Sequence, residues 1–303
     1  MMIENLKKFY KDALITANTP EQMDKFIWFI SEKGSFFGID IKVITSQEIK
    51  LLSSLFTRFD SQQAEMTDIQ ASWYNFLYLN VDSLLSSNHS FTQSQFILFQ
   101  ASRPISDRSE FQVALEALMP CEIILLWEND MNGVVIAVNS GELIEDVGYD
   151  EIIATLTSDF YVDIHLFIGR YHPINHLLPN EFSWEKKCFE KALLYLHKQK
   201  VSRLHDVIPF MILENIDHSL KDRVKNVILQ ELQDDHELVE TIKVFLESDL
   251  NVSNASKKLY MHRNSLQYRI DKFIEKTGID IKHFQGAVTT YLAILSLEHF
   301  SDS

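Results

Sequence analysis

Cysteine is nearly absent: Cys121 and Cys188 are the only two in 303 residues. A disulfide framework is therefore not expected, and a reducing cytoplasm suits such usage. Glycine (8) and proline (6) are scarce, so long regular elements with few breaks are expected. No apolar run approaches the roughly 20 residues that cross a bilayer, and no membrane partner is expected. The first residues, Met-Met-Ile-Glu-Asn-Leu-Lys-Lys-Phe-Tyr, contain no apolar stretch of the secretion-signal kind. The phosphate-cradling and dinucleotide-binding glycine patterns are missing, as is the G-x-S-x-G nucleophile elbow. No catalytic residue and no cofactor is assigned, and the chain is not expected to be an enzyme. His172 and His176 stand four apart, a metal-ligand spacing on a helix. Pro173 and Pro179 place them in a loop instead, and no third ligand is near, so no metal is assigned. Both cysteines, one in an expected strand and one on an expected helix, read as small core residues.

Hydrophobic residues make up 46% and charged residues 23%, the balance of a globular chain long enough for two or three domains. Phenylalanine (21) supplies core bulk. The net charge of −15 argues against a general nucleic-acid coat. It leaves room for one basic face, because the local field matters more than the total. Residues 257–282 hold seven basic side chains, from Lys257 to Lys282, against Asp271, Glu275 and Asp280.

The N-terminal 90 residues are the least legible. Leu6–Leu14 and Met23–Ile30 are amphipathic helix candidates, with a helix start at Thr19-Pro20-Glu21. Ile39–Ile44 alternates like a strand, and Ser46–Phe56 returns to helical spacing behind a serine cap. A polar stretch, Asp60 to Ala71, precedes a helix over Trp73–Leu85. Further on, Ser94–Gln100 reads as a strand, Asp107–Met119 as a helix, and Cys121–Trp127 with Gly133–Val138 as a hairpin. Tyr149–Ser158 is then a helix, Phe160–Ile168 a strand and Trp184–Lys200 a helix. The order β-α-β-β-α-β is that of the ferredoxin-like fold. Residues 201–232 read as a helical connector. Glu237–Ser248 reads as a support helix with Leu238, Ile242, Phe245 and Leu246 inward, and His283–Phe300 as the last helix.

The stretch Asn251–Ile270 is the most informative. It reads as a short helix, a turn and a second helix. Ser253 is the candidate N-cap of the first, which buries Ala255 and Leu259. Met261 lies in the turn and His262 where the second helix begins. Leu266, Ile270 and Phe273 follow at i, i+4, i+7 on one face. Between them lie Arg263, Asn264, Gln267, Tyr268, Asp271 and Lys272. Such side chains can reach base edges and phosphates when a helix end enters a major groove. Arg263 suits guanine O6/N7 and Asn264 adenine N6/N7, each contact contributing about 1–3 kcal/mol of discrimination. Gln267, one turn on, is a further base-edge candidate. Ser265, Tyr268, Arg269 and Lys272 suit phosphate oxygens, and Lys257 and Lys258 approach the backbone from the first helix. Arg269 is the ambiguous one, since Glu275, Asp271 or Glu247 could pair with it.

The run ASKKLYMHRNSLQYRIDKFIEKTGIDI resembles the C-terminal helix-turn-helix of PucR/CdaR-type bacterial transcriptional regulators. Their pattern is roughly A-A-x-x-L-x-[VI]-H-R-N-T-L-x-Y-R-L, followed by T-G. His262-Arg263-Asn264-Ser265-Leu266, Tyr268-Arg269-Ile270 and Thr277-Gly278 match it in order and spacing. Ser256 stands for a usual alanine and Ser265 for a usual threonine. The resemblance implies a regulator that binds double-stranded DNA, and supports His262–Ser265 and Tyr268–Arg269 as site positions. One such head covers little DNA, so a homodimer or higher oligomer is expected. A small-molecule effector or a partner is expected to act through the upstream half.

DIHLFIGRYHPINHLLPNEFSWEKKCFEKALLYL more weakly resembles the last strand and following helix of GGDEF nucleotide cyclases. Their signature hairpin carries paired glycines, whereas this one reads Trp127-Glu-Asn-Asp-Met-Asn-Gly133. A degenerate, non-catalytic domain is implied. The rival reading is a signalling protein whose middle domain still binds a nucleotide. The expected fold is α+β and multidomain: an N-terminal regulatory region of mixed α/β character (1–90), a ferredoxin-like middle domain (91–200), a helical connector (201–232) and an all-α helix-turn-helix domain (233–303).

Overall fold

The computed structural model describes residues 2–17, 22, 25–31, 36–59, 66–81, 91–139, 148–232 and 235–300. The chain divides into two compact units. One comprises residues 1–190 with 198–204, the other 191–197 with 205–303.

In the first unit, helix α1 (Met2–Tyr10) and one 3₁₀ turn lead into β1 (Leu14–Ala17). Strands β2 (Phe26–Ile30), β3 (Phe36–Asp40) and β4 (Thr57–Phe59) complete a four-stranded antiparallel sheet in the order β1-β3-β2-β4. Helix α2 (Ser46–Leu55) packs Leu52 into a core with Phe29, Phe37 and Phe56. Of the helix expected over Met23–Ile30, Phe26–Ile30 is instead β2, and residues 23 and 24 lie outside the described residues. The five residues of β2 are aromatic or β-branched, and Trp28, Phe29 and Ile30 are all buried, so helical and strand spacing coincide in so short a run. The strand expected to reach Ile44 ends at Asp40, whose carboxylate accepts from the Lys42 N–H at 2.8 Å and turns the chain. The cap of α2 is Thr45, not Ser46, in a capping box with Glu48. A second capping box, Thr67 with Gln70, starts α3 (Asp68–Leu79) five residues before the expected Trp73. The expected start at Thr19-Pro20-Glu21 lies outside the described residues, as do residues 60–65 of the polar stretch and 82–85 of the helix over Trp73–Leu85.

A second sheet follows. Strands β5 (Gln93–Ala101), β6 (Glu122–Trp127), β7 (Asn132–Asn139) and β8 (Ile164–Pro173) run antiparallel, in the order β6-β7-β5-β8. Helices α4 (Arg108–Leu118) and α5 (Tyr149–Phe160) cover one face over Phe99, Phe111, Val135 and Ile164. Phe160 ends α5 rather than opening the strand, and Tyr161 caps it in the left-handed region (φ 54°). Helix α6 (Leu178–Tyr195) begins six residues before the expected Trp184. Part of the expected helical connector is a strand: β9 (Val201–Arg203) adds parallel to β8. Three residues carry too little pattern to betray it. Buried Glu185 of α6 accepts from the Arg170 N–H at 2.8 Å and meets His172 Nε2 at 2.9 Å. This close approach is possible because residue 169 is glycine; a Cβ there would collide with Glu185 Oε2.

The second unit is helical. After α7 (Leu204–Asn215) and α8 (His218–Leu232) come α9 (His236–Leu246), α10 (Val252–Lys258), α11 (Arg263–Thr277) and α12 (Phe284–His299). Leu238, Ile242, Phe245, Ala255, Leu266, Ile270, Phe273 and Ile294 form its core.

Gly169→Ala is expected to destabilise the chain by about 1–3 kcal/mol, because Glu185 must leave or the strand must shift. Thermal unfolding reads it, and an unchanged midpoint contradicts the account.

Candidate nucleic-acid interface

Helices α10 and α11 are set by local signals. Asn251, not the expected Ser253, caps α10, accepting from the backbone of Ser253 and Asn254 at 3.0 and 3.1 Å. His262 caps α11 through Nδ1, which accepts from the Asn264 N–H at 3.2 Å. Gly278 (φ 69°) ends α11, its N–H donating to Ile274. Leu266, Ile270 and Phe273 are fully buried against α9 and α10, and this fixes which side chains of α11 face outward.

Arg263, Asn264 and Ser265, on the first turn of α11, are exposed. So are Tyr268 one turn on, His262 at the cap, and Lys257 and Lys258 on α10. Gln267 is half-buried and donates to Asp271 at 3.0 Å. The other flank of α11 turns to α9. Arg269 donates to Thr241 Oγ1 at 2.8 Å and to Glu237. Lys272 meets Asp235 at 2.7 Å, and Lys276 meets the same carboxylate at 3.6 Å. Lys282 meets Asp271 at 2.8 Å. Four of the seven basic side chains counted from the sequence are thus matched with acids, and exposed Lys257, Lys258 and Arg263 mark the end of α11 nearest the turn. The partner of Arg269 is none of the three acids named from the sequence. Glu237 lies 32 residues away and only the packing of α9 on α11 brings it near. A groove of about 550 Å³ follows this seam, lined by Glu237, Asn264, Ser265, Tyr268 and Arg269 among others.

Two features escaped the sequence reading. Asp235 and Glu237 are one; acids at a helix start are the only local sign of them, and that sign does not name a partner. Tyr260 is the other. It stands in the turn between α10 and α11, 98% exposed, at φ 52°.

Elsewhere the chemistry is structural. In the hairpin, Glu128 accepts from Tyr78 and Lys186, each at 2.6 Å, and Asp130 pairs with Arg108 at 2.7 Å. Among the described residues no group of three or more His, Cys, Asp or Glu is placed to hold a metal. Cys121 precedes β6 instead of lying within it. Burial raises its thiol, and burial together with Glu185 raises that of Cys188 to about 11. Neither is a ready nucleophile near neutral pH. Among the described residues no helix is long and apolar enough to cross a membrane.

Residues 238–296 match the PucR C-terminal helix-turn-helix domain. The matched stretch contains α10, α11 and most of α9 and α12. The chain is 26% identical over 302 residues to the protein YxkF of Bacillus subtilis (strain 168), covering 98% of this chain and 99% of that one. Over 68 residues it is 40% identical to the DNA-binding transcriptional activator AdeR of the same organism, 22% of this chain and 16% of that one. Over 165 residues it is 25% identical to the proline-responsive transcriptional activator PutR, 49% and 39% of the two chains.

The hydrogen bond from Lys272 holds the Asp235 carboxyl below the ordinary 3.8. Folded Asp235 therefore binds its proton less tightly than the unfolded chain does. Its contribution to stability is complete above the ordinary value and is lost as pH falls through the lower folded one. Asp235→Asn retains a capping oxygen and removes the charge. It is expected to cost about 0.2–1 kcal/mol at neutral pH, since the pair is partly solvated. It should also flatten the decline in stability below about pH 4. An acid decline identical to wild type in a melting series would count against this.

Proposed function

We propose that this chain is a DNA-binding transcriptional regulator of PucR type that reads the major groove with α11. One observation carries the reading: α11 buries Leu266, Ile270 and Phe273 and presents Arg263, Asn264, Ser265 and Tyr268 outward. The match of residues 238–296 and the likeness to AdeR and PutR support it. Arg263 and Asn264 contact base edges, with Gln267 reaching one once it leaves Asp271. His262, Ser265, Tyr268, Lys257 and Lys258 face the phosphate backbone. Arg269 and Lys272 chiefly tie α11 to α9, and reach phosphate only by leaving Glu237 and Asp235.

The protein acts in the cytoplasm as a homodimer or higher oligomer on paired half-sites, since one head buries too little DNA surface for tight binding. Residues 1–90 and the middle domain (91–200) form the regulatory part, residues 201–232 the connector and 233–303 the DNA-binding head. The strand order β6-β7-β5-β8 favours reading the middle domain as ferredoxin-like and descended from a GGDEF-type domain without its catalytic hairpin. A small molecule controls the regulator through this half. A cleft of about 670 Å³ between α3, the start of α4 and the β6–β7 hairpin supports that, with Gln70, Asp107, Arg108, Trp127 and Glu128 in its walls.

Mobility shift on fragments of the host genome tests the reading. Arg263→Ala and Asn264→Ala are each expected to weaken specific binding roughly five- to a hundredfold, with melting unchanged because both side chains are exposed. Wild-type protein that binds no DNA better than the double variant at low salt refutes it.

A further inference from the structure

We propose that Tyr260 is a DNA-backbone contact, its phenol hydroxyl donating to a phosphate oxygen beside the groove that α11 enters. The proposal rests on the regulator reading above. Seven described non-glycine residues have positive φ, a conformation unfavourable for any side chain with a Cβ. Lys11 and Gln22 are exposed polar side chains of the first unit, and four others have a local reason. Asn80 and Asp249 are short polar residues that tolerate the left-handed region. Leu250 packs against the helical core. Tyr161 caps α5, and its carbonyl accepts from Arg103. Tyr260 follows the end of α10 much as Tyr161 follows α5, but no described side-chain contact accounts for a tyrosine there. Its ring is 98% exposed, so it adds nothing to a core. The turn around it is closed by backbone alone, with Tyr260 N–H donating to Lys257 at 3.2 Å and Met261 N–H to Ser256 at 3.0 Å. Glycine would make those bonds with less strain. A bulky ring held out into solvent on an unfavourable backbone is the pattern of a side chain retained for what it binds. Its neighbours indicate what that is. The cap His262, exposed Arg263 and exposed Lys257 share this end of the unit, where a polyanion is the matching partner. Tyrosine brings one donor and no charge, which suits a phosphate oxygen already drawn in by those cations.

Tyr260→Gly, Tyr260→Phe and Lys257→Ala test this on the full chain. The probe is a labelled duplex that the wild type selects from fragments of its own genome, titrated over a range of salt. Tyr260→Gly is expected to melt at or above the wild-type temperature and to bind about fivefold more weakly, the size of one hydrogen bond. Tyr260→Phe should keep wild-type melting and show a similar loss. Both should retain the wild-type slope of log affinity against log salt, whereas Lys257→Ala should be shallower by about one. Wild-type affinity in Tyr260→Gly overturns the contact, and so does a parallel fall in melting and binding, which would make Tyr260 structural. Full affinity in Tyr260→Phe overturns the hydroxyl as the donor. If the wild type selects no DNA at all, the regulator reading falls and this contact with it. Selection by the wild type with indifferent Tyr260 variants removes the contact alone.

Discussion

The buried stripe Leu266–Ile270–Phe273 governs the helix-turn-helix end of this protein. Three side chains at i, i+4 and i+7, all fully buried, leave α11 a single rotation about its axis. Truncating any of them to alanine would cost about 2–5 kcal/mol, several times the value of a surface ion pair. The packing therefore decides and the charges adapt. With the stripe inward, Arg263, Asn264 and Tyr268 must point outward, while Arg269, Lys272 and Lys276 must run along α9. The acids at the start of α9 meet those cations as a result of the packing.

This ordering of energies explains what could be read directly. The period of the apolar residues is local and strong, so α9, α11, α12 and the turn at Met261 were legible, as were buried Ala255 on α10 and half-buried Leu259 at its C-cap. The exposure of Arg263, Asn264 and Tyr268 followed from the same period. Pairing of charge across helices is not local. Glu237 and Asp235 lie more than thirty residues before their partners, and a count of charge by segment cannot see them. The positive excess of residues 257–282 was real in composition, yet much of it is neutralised within the fold. Caps were legible to within two residues: both expected serine caps were displaced, to Asn251 and Thr45.

The sheets were legible in proportion to length. β5 to β8 have six to ten residues each, and their order along the chain was readable. β1, β4 and β9 have three or four, and were missed, because so few residues fit any period. In sequence β2 fits a helical period equally well, for the same reason. Its identity comes from its antiparallel partners β3 and β4, which supply the backbone hydrogen bonds.

The late strand β9 has a topological result. The chain passes between its two compact units three times, after residues 190, 197 and 204. The end of α6 thus belongs with the C-terminal helices: the Tyr195 ring stacks on Phe210 with centroids 5.0 Å apart and meets His299 at 5.5 Å. A polypeptide cut at residue 204 would leave Phe210 and His299 without that aromatic neighbour. The two halves of this molecule are interlaced in sequence, and no single scission yields either of them whole.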